Sequence, residues 1–157
     1  MNGTLTQDAP NAPPPIADII PAELKDREQW VVWRYQKKGD KWTKVPFNAR
    51  TGKHASTADQ ETWASFAQAW KAYKAKKNGY AGIGFVFTKD DPYSGFDFDH
   101  CLTLNADTGA LTITPEAQEW VNRFATYTEI SPSQTGLKGI CRAAAAHSGK
   151  NTKAKVE

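Results

Sequence analysis

The sequence contains few of the residues that bind soft metals or cross-link small domains. It has two cysteines, three histidines and one methionine in 157 residues. Cys101 and Cys141 have neither CxxC nor Cys/His spacing, so we interpret them as reduced thiols rather than zinc ligands or a disulfide framework. The sequence also lacks an apolar run long enough to span a membrane and a signal-peptide pattern. These absences predict a cytoplasmic protein with no membrane partner.

The composition that remains is typical of a globular domain. Hydrophobic residues make up 39% and aromatic residues 11%, including six tryptophans. The net charge is only +3, but it is unevenly distributed. Nine basic and three acidic residues lie within 25–53, two basic and eight acidic residues within 89–131, and five basic and one acidic residue within 138–157. Basic segments around an acidic centre would suit a polyanionic ligand held at a metal-binding core.

The order of predicted elements indicates an α+β fold with a mixed or mostly antiparallel sheet and flanking helices. Residues 1–20 are rich in Pro, Asn and Ala and predict a flexible tail, and residues 21–157 form one domain. Because KAKVE begins as a strand at the end of the sequence, we expect this domain to be incomplete at its C-terminus. The predicted elements are a hairpin of Trp30–Gln36 and Trp42–Phe47, helix Asp59–Lys77, strands Tyr80–Phe87 and Gly95–Leu102, helix Pro115–Ala125, and a final strand pair.

The segment GFDFDHC, residues 95–101, places two carboxylates in a predicted strand. Side chains at i and i+2 of a strand point to the same face, so Asp97 and Asp99 share a face with Cys101, while Phe96 and Phe98 face the core. Two carboxylates side by side would hold Mg²⁺ or Mn²⁺, which prefer oxygen ligands and also bind substrate phosphates. The alternative is a pair of exposed aspartates that make ion pairs with lysines.

The segment SPSQTGLKG, residues 131–139, follows a predicted strand. Its hydroxyls on Ser131, Ser133 and Thr135 and its backbone N–H groups could bind phosphate oxygens, and Lys138 would add a positive charge. The alternative is an ordinary Ser/Pro turn.

A third candidate is the loop that precedes the predicted helix Asp59–Lys77. Anions favour helix N-termini, so its basic residues could bind a phosphate or a template backbone. The alternative is a mobile basic loop. The candidates are Lys44, Arg50, Lys53 and His54.

The whole series of motifs resembles the phage and plasmid primase-polymerases of the archaeo-eukaryotic primase superfamily. It runs from a Trp-rich hairpin through KVPFN, GIGFVF and GFDFDHC to EISPSQTGLKG, and covers about residues 20–157. The resemblance implies that Asp97 and Asp99 are the catalytic, metal-binding residues. It also implies that Ser131, Ser133, Thr135 and Lys138 bind the phosphates of the incoming nucleotide.

The sequence departs from the family pattern SPSGTGLH at two positions. Gln134 stands where the family has Gly, which allows close approach of the backbone to phosphate, and Lys138 stands where it has His. A further acidic motif of the family is expected beyond Glu157.

The resemblance implies a DNA primase/polymerase, a nucleotidyltransferase of phage or plasmid replication that uses Mg²⁺ or Mn²⁺. Its implied partners are NTPs or dNTPs, a single-stranded DNA template, and a helicase domain or protein of the same replication system; its location would be the bacterial host cytoplasm. Residues 25–53 and 138–155 would follow the template, with Trp42 stacking on bases. Two alternatives remain: a non-catalytic nucleic-acid-binding module with this fold, and a metal-dependent nuclease.

Overall fold

A computed structural model describes residues 8–143 of the chain, which form two compact units. The first unit contains residues 8–14 and 25–85, and the second contains residues 15–24 and 86–143. Within residues 8–143, no helix combines the length and apolarity needed to cross a bilayer. The elements in chain order are α1 Ala22–Lys25, β1 Trp30–Lys38, β2 Lys41–Phe47, α2 Phe66–Lys74, β3 Gly82–Phe85, β4 Tyr93–Phe98, β5 Leu102–Leu104, β6 Leu111–Ile113, α3 Pro115–Phe124, β7 Tyr127–Ile130 and β8 Leu137–Arg142, with short 3₁₀ helices at Ala17–Ile19 and Gln60–Thr62.

All described strand pairs are antiparallel, which confirms the predicted α+β class with mostly antiparallel pairing. The strands form three separate sheets, in the orders β2-β1-β3, β4-β8-β7 and β5-β6, where the sequence predicted one. The predicted hairpin is present as β1 and β2. Its turn contains Gly39 with φ of +62°, a backbone conformation that glycine adopts without steric cost.

The first unit is organised around Trp30. Its ring contacts Phe66 of α2 at 5.1 Å and Phe85 of β3 at 5.3 Å between ring centroids. Val32, on the same face of β1, is fully buried. Helix α2 therefore packs against the face of the sheet that carries Trp30 and Val32.

The predicted helix Asp59–Lys77 is wrong in extent. Asp59 caps only the 3₁₀ helix Gln60–Thr62, and α2 begins after Ser65. The break arises because the backbone of Ala64 exchanges two hydrogen bonds with Trp30, at 2.8 and 3.0 Å. Ser65 then starts α2 with a capping box, in which its hydroxyl accepts from the Gln68 N–H and the Gln68 side chain accepts from the Ser65 N–H.

The second unit packs helix α3 against one face of the β4-β8-β7 sheet. Thr114 caps α3 through its hydroxyl and Pro115 occupies the first turn, as the sequence predicted. Phe124 reaches the sheet, with its ring 4.8 Å from that of Phe96. The buried residues of this core are Phe96, Phe98, Cys101, Leu102, Ala117 and Leu137.

The predicted strand Gly95–Leu102 ends at Phe98, so Asp99 lies in a turn. His100 has φ of +53°, and this left-handed residue reverses the alternation of side chains. Cys101 is consequently buried in the core with Phe96 and Phe98, and the predicted placement of its thiol on the Asp97 face is wrong. Both cysteines are free thiols, as predicted.

Candidate functional site

Three charged side chains form a row across the β4-β8-β7 sheet. Lys138 of β8 is the register partner of Asp97 on β4 and of Glu129 on β7. Residues directly opposite one another in antiparallel strands point to the same face of the sheet. The row therefore lies on the face opposite Phe96 and Phe98, away from the aromatic core.

The Lys138 ammonium group makes an ion pair with Oδ2 of Asp97. The two side chains are 34% and 23% exposed, so water screens this pair only in part. The second oxygen of Asp97, Oδ1, is buried and has no hydrogen-bond partner within residues 8–143. An unpaired buried carboxylate oxygen costs free energy, and a water molecule, a cation or a donor group of a ligand would satisfy it.

Glu129 ends the row and binds a neighbouring phenol. The Tyr127 hydroxyl donates to Glu129 Oε2 at 2.5 Å. Burial is the main cause that raises the pKa of Tyr127 well above its ordinary value, and the hydrogen bond to Glu129 and the charge of that carboxylate raise it further. Tyr127 is therefore a neutral hydrogen-bond donor throughout the physiological pH range.

The residues that follow the turn after β4 are hydrogen-bonded to the segment 131–136 and to the end of β4. The Leu102 N–H donates to the Thr135 carbonyl at 3.0 Å, and the Cys101 thiol donates to the Phe98 carbonyl at 3.3 Å. Burial raises the pKa of the Cys101 thiol, and the charges of Asp97 and Asp99 contribute in the same direction. The thiol is thus an un-ionised core residue that lies within the electrostatic influence of both carboxylates.

Three hydroxyls line up in the segment 131–136, which we call the hydroxyl loop. Ser131 Oγ lies 2.8 Å from Ser133 Oγ, which lies 3.0 Å from Thr135 Oγ1. The loop is closed by the Ser131 N–H, which donates to the Gly136 carbonyl at 2.8 Å. Ser131 is buried, whereas Ser133 and Thr135 are exposed. A chain of hydroxyls that ends at the surface can donate to phosphate oxygens.

Close backbone packing holds the hydroxyl loop against the aspartate segment. A Cβ atom on Gly136 would lie 2.4 Å from the Phe98 carbonyl oxygen and 3.4 Å from Asp99 Cα. Gln134, which stands where the family pattern SPSGTGLH has Gly, has φ of +62°. The glycine of the family pattern therefore falls at a position whose backbone favours glycine, and this chain tolerates Gln there.

The donor atoms at this site fit a hard divalent cation. Asp97 presents a carboxylate whose buried Oδ1 lacks a partner among the described residues, and Asp99 follows two residues later in the turn after β4. Carboxylate oxygens are the ligands that Mg²⁺ and Mn²⁺ prefer. Across the described part of the chain, no group of three or more His, Cys, Asp or Glu side chains is arranged to hold a metal. A cation bound by these two aspartates would take its remaining ligands from water or substrate phosphates, as Mg²⁺ commonly does.

The four basic candidates lie in the first unit. Arg50 donates to the Glu61 carbonyl at 2.7 Å and lines a polar cleft of about 260 Å³ that also contains Glu28. The His54 ring packs on Phe47 with a centroid distance of 4.7 Å. The structure places Lys53 at the surface and Lys44 on β2. Of the predicted template segment 138–155, residues 144–155 lie outside the described residues.

The structure thus brings Asp97 and Lys138 into direct contact, and it packs Gly136 of the hydroxyl loop against the Phe98 carbonyl oxygen and close to Asp99 Cα. Sequence reasoning missed two residues on the same face. Glu129 could have been found from the alternation of TYTEI, but its register with Lys138 could not. Phe87 is 40% exposed, and its ring lies against Gly95, two residues before Asp97; no sequence signal indicates this contact.

Comparison with known proteins supports the predicted resemblance. No family model matches the chain. The chain is similar to the DNA primase-polymerase of Nitratiruptor phage NrS-1, with 36% identity over 120 residues. The matched region covers 75% of this chain but only 15% of the length of that relative. The predicted relationship to phage primase-polymerases is therefore confirmed for most of the chain, and the chain corresponds to a small part of its relative.

Proposed function

We propose that this chain carries nucleotide-binding and metal-binding residues of a DNA primase-polymerase of the archaeo-eukaryotic primase superfamily. The observation that carries the proposal is the buried, unpaired Oδ1 of Asp97. This atom lies on the carboxylate that pairs with Lys138, and the hydroxyl loop packs against the residues that follow it. A carboxylate, a cation and a row of hydroxyls together suit a nucleoside triphosphate with its divalent ion.

In this proposal Asp97 and Asp99 hold Mg²⁺ or Mn²⁺. The bound ion would supply positive charge that stabilises the attacking and leaving oxygens of the phosphoryl transfer. With Asp97 engaged by the ion, Lys138 can turn its ammonium group toward a phosphate oxygen. The side chain of Lys138 is one-third exposed, so this movement does not require the core to open.

The hydroxyl loop would hold the triphosphate of an NTP or dNTP. Ser133 and Thr135 present exposed hydroxyls, and Ser131 orients Ser133 from its buried position. Positioning of this kind supplies much of the rate enhancement in phosphoryl transfer, because the transferred group needs little covalent help from the protein. The growing strand and a single-stranded DNA template complete the proposed substrate set, and a helicase domain or protein is a proposed partner.

The first test is metal-dependent nucleotide binding. Binding of a labelled nucleoside triphosphate is measured with and without Mn²⁺ for the unchanged chain, Asp97→Asn and Asp99→Asn. The matched control is Asp107→Asn, which removes the same charge from an exposed turn between β5 and β6. We expect Mn²⁺ to strengthen binding at least tenfold in the unchanged chain and in Asp107→Asn, and not in the other two variants. Equal metal dependence in all four proteins would refute the proposed site.

A non-catalytic nucleotide-binding or nucleic-acid-binding module is the second candidate. The ion pair of Lys138 with Asp97 favours it, because this pair satisfies one carboxylate oxygen without any ion. Primer synthesis on single-stranded DNA separates the two candidates. Nucleotide incorporation that requires Asp97 supports the enzyme. Metal-dependent nucleotide binding with no incorporation supports the module. Cleavage of the template with Mn²⁺ and without nucleotides would instead identify a nuclease.

A further inference from the structure

The β1–β2 hairpin extends beyond the rest of its sheet. Strand β3 pairs with β1 only along Trp30–Trp33. The next five residues of β1, Arg34–Lys38, pair with Lys41–Val45 of β2. Residues 34–45 therefore form a two-stranded ribbon that projects past β3, and we call it the basic ribbon. It carries one acidic residue, Asp40, and five basic residues, Arg34, Lys37, Lys38, Lys41 and Lys44.

The pairing register separates the side chains of the basic ribbon into two different faces. Tyr35 is opposite Lys44 and Lys37 is opposite Trp42, so these four residues share one face. Trp33 lies two residues before Tyr35 and extends that face toward β3. We call Trp33, Tyr35, Lys37, Trp42 and Lys44 the aromatic face. The opposite face carries Lys38 directly opposite Lys41.

The rings of the aromatic face have defined positions. The Trp33 indole donates to the Ile83 carbonyl at 3.2 Å and lies against Gly82, where an added Cβ would come within 2.7 Å of its nitrogen. The Tyr35 ring meets that of Trp33 edge to face, with centroids 5.2 Å apart. The Lys37 ammonium group lies 5.7 Å from the centroid of the Trp42 ring.

Helix α2 does not use the aromatic face. It contacts the sheet through Phe66 and Trp30, and alternation along β1 puts Trp30 on the face opposite Trp33. The rings of Trp33, Tyr35 and Trp42 are half-buried. Lysines alone on a ribbon would be explained by protection of its edges from strand pairing. That protection does not require three aromatic rings interleaved with lysines on one face.

We propose that the aromatic face of the basic ribbon binds single-stranded nucleic acid. Unpaired bases would stack on Trp42 and Tyr35, and Lys37 and Lys44 would contact the phosphates between them. The five cations and one anion of the ribbon complement the charge of a phosphate backbone, and the partial exposure of Tyr35 and Trp42 leaves them accessible to bases. A duplex hides the faces of its bases, so a stacking surface favours an unpaired strand.

This inference rests on the proposed function in one respect, which is that the bound strand is the template of the primase-polymerase. The binding itself uses no nucleoside triphosphate, no divalent ion and no residue of the second unit. It can therefore be tested with EDTA present. A lack of oligonucleotide binding by the basic ribbon can then be distinguished from a lack of metal-dependent nucleotide binding at Asp97.

The test measures the affinity of the full chain for a labelled 20-nucleotide oligothymidine by fluorescence anisotropy over a salt series. Lys37→Ala/Lys44→Ala is compared with Lys38→Ala/Lys41→Ala. Both pairs remove two charges from the same ribbon, but only the first pair is on the aromatic face. We expect the first pair to weaken binding about tenfold and to lower the salt slope by about 1.4, because each phosphate contact on a single strand contributes about 0.7. We expect the second pair to weaken binding less than about threefold. Equal losses would overturn the proposal, because they indicate general attraction to a basic protein.

Aromatic variants test the stacking. Trp42→Ala and Tyr35→Ala should each weaken oligothymidine binding about tenfold, whereas Trp42→Phe and Tyr35→Phe should retain most of the affinity. Thermal unfolding identifies any variant that fails to fold, and the Phe variants keep the test decisive in that case. Asp107→Asn, in the exposed turn between β5 and β6, should bind the oligonucleotide as the unchanged chain does. Unchanged affinity in the Ala variants, or equal affinity for a duplex of the same length, would refute binding by base stacking.

Discussion

Lys138 lies directly opposite Asp97 in the β4–β8 pair and neutralises one oxygen of a carboxylate whose other oxygen is buried without a partner among the described residues. The pair is asymmetric. Water can solvate the Lys138 ammonium group, because its side chain is 34% exposed. Among the described residues, Lys138 is the cation that forms an ion pair with Asp97. Removing the lysine should therefore be worse for the fold than removing the charge of the aspartate.

The first prediction is that Lys138→Met lowers the free energy of unfolding by about 1–3 kcal/mol at neutral pH, because it leaves a half-buried carboxylate without its counter-ion. Asp97→Asn should change the free energy of unfolding by less than about 1 kcal/mol, because a charged residue at a functional site often lowers the stability of the folded protein. Adding Asp97→Asn to Lys138→Met should recover part of the loss. Urea unfolding of the four proteins gives the coupling free energy. Additive effects of the two substitutions would show that the ion pair does not contribute to stability.

The second prediction concerns Gly136, whose absent side chain allows the hydroxyl loop to approach β4. Gly136→Ala would place a Cβ atom 2.4 Å from the Phe98 carbonyl oxygen, and backbone cannot yield as easily as a flexible side chain. We expect a loss of about 1–3 kcal/mol in unfolding free energy together with weaker nucleotide binding.

The matched control for Gly136 is Gly84→Ala in β3, where the nearest atom is a Val31 methyl group at an ordinary 3.5 Å. This variant should lose less than about 1 kcal/mol and bind nucleotide normally. If Gly84→Ala is as damaging as Gly136→Ala, the close approach at Phe98 is not what restricts residue 136.

Local sequence signals were sufficient for part of this fold. The alternation of Trp30–Lys38 and the turn at Gly39 predict the first hairpin, and Thr114 followed by Pro115 predicts the start of α3. Other features depend on long-range pairing. The break before α2 comes from the backbone pairing of Ala64 with Trp30, 34 positions earlier in the sequence. No propensity of residues near Ala64 encodes that contact.

In the candidate site, too, the residues could be predicted from the sequence but their arrangement could not. The GFDFD pattern and the SPSQTGLK pattern are each visible in the sequence, and the resemblance to a family joins them. Their geometry is not visible, because the register that puts Lys138 opposite Asp97 is set across 41 positions of sequence. The left-handed turn at His100, which moves Cys101 into the core, is also not readable from the sequence, since positive φ is uncommon for non-glycine residues even though histidine is enriched there.

The third prediction concerns Tyr127, whose pKa is raised from 10.0 mainly by burial and further by Glu129. The neutral phenol is favoured in the folded state, so its contribution to stability is complete below the pKa of the unfolded chain, about 10, and is lost as the pH rises beyond it. The free energy of unfolding should therefore fall as the pH rises above about 10, and less steeply in Tyr127→Phe.

Glu129→Gln tests the cause of this pH dependence. Burial is the larger cause, so removing the charge of Glu129 should reduce the slope without abolishing it. Denaturant unfolding at several pH values measures the slope for all three proteins. Identical slopes would show that Tyr127 ionises as readily in the folded chain as in the unfolded chain.

The fourth prediction concerns Gln134, the left-handed residue that stands where the family pattern SPSGTGLH has glycine. Gln134→Gly removes a strain of about 1 kcal/mol but gives the unfolded chain more freedom, so the net change in stability should stay within about 1 kcal/mol. Without the side chain, a phosphate can approach the backbone between Ser133 and Thr135 more closely. Nucleotide affinity should therefore increase several-fold, as measured by titration with Mn²⁺ present.

Two variants separate strain from binding in this prediction. Ala125→Gly removes the same kind of strain at the end of α3, where φ is +46°, and should leave nucleotide affinity unchanged. Gln134→Val puts a branched side chain at a positive φ and should lower both stability and affinity. If Gln134→Gly instead weakens nucleotide binding, the glutamine side chain itself contacts the nucleotide. The departure from the family pattern would then be a gain of a binding group rather than a tolerated substitution.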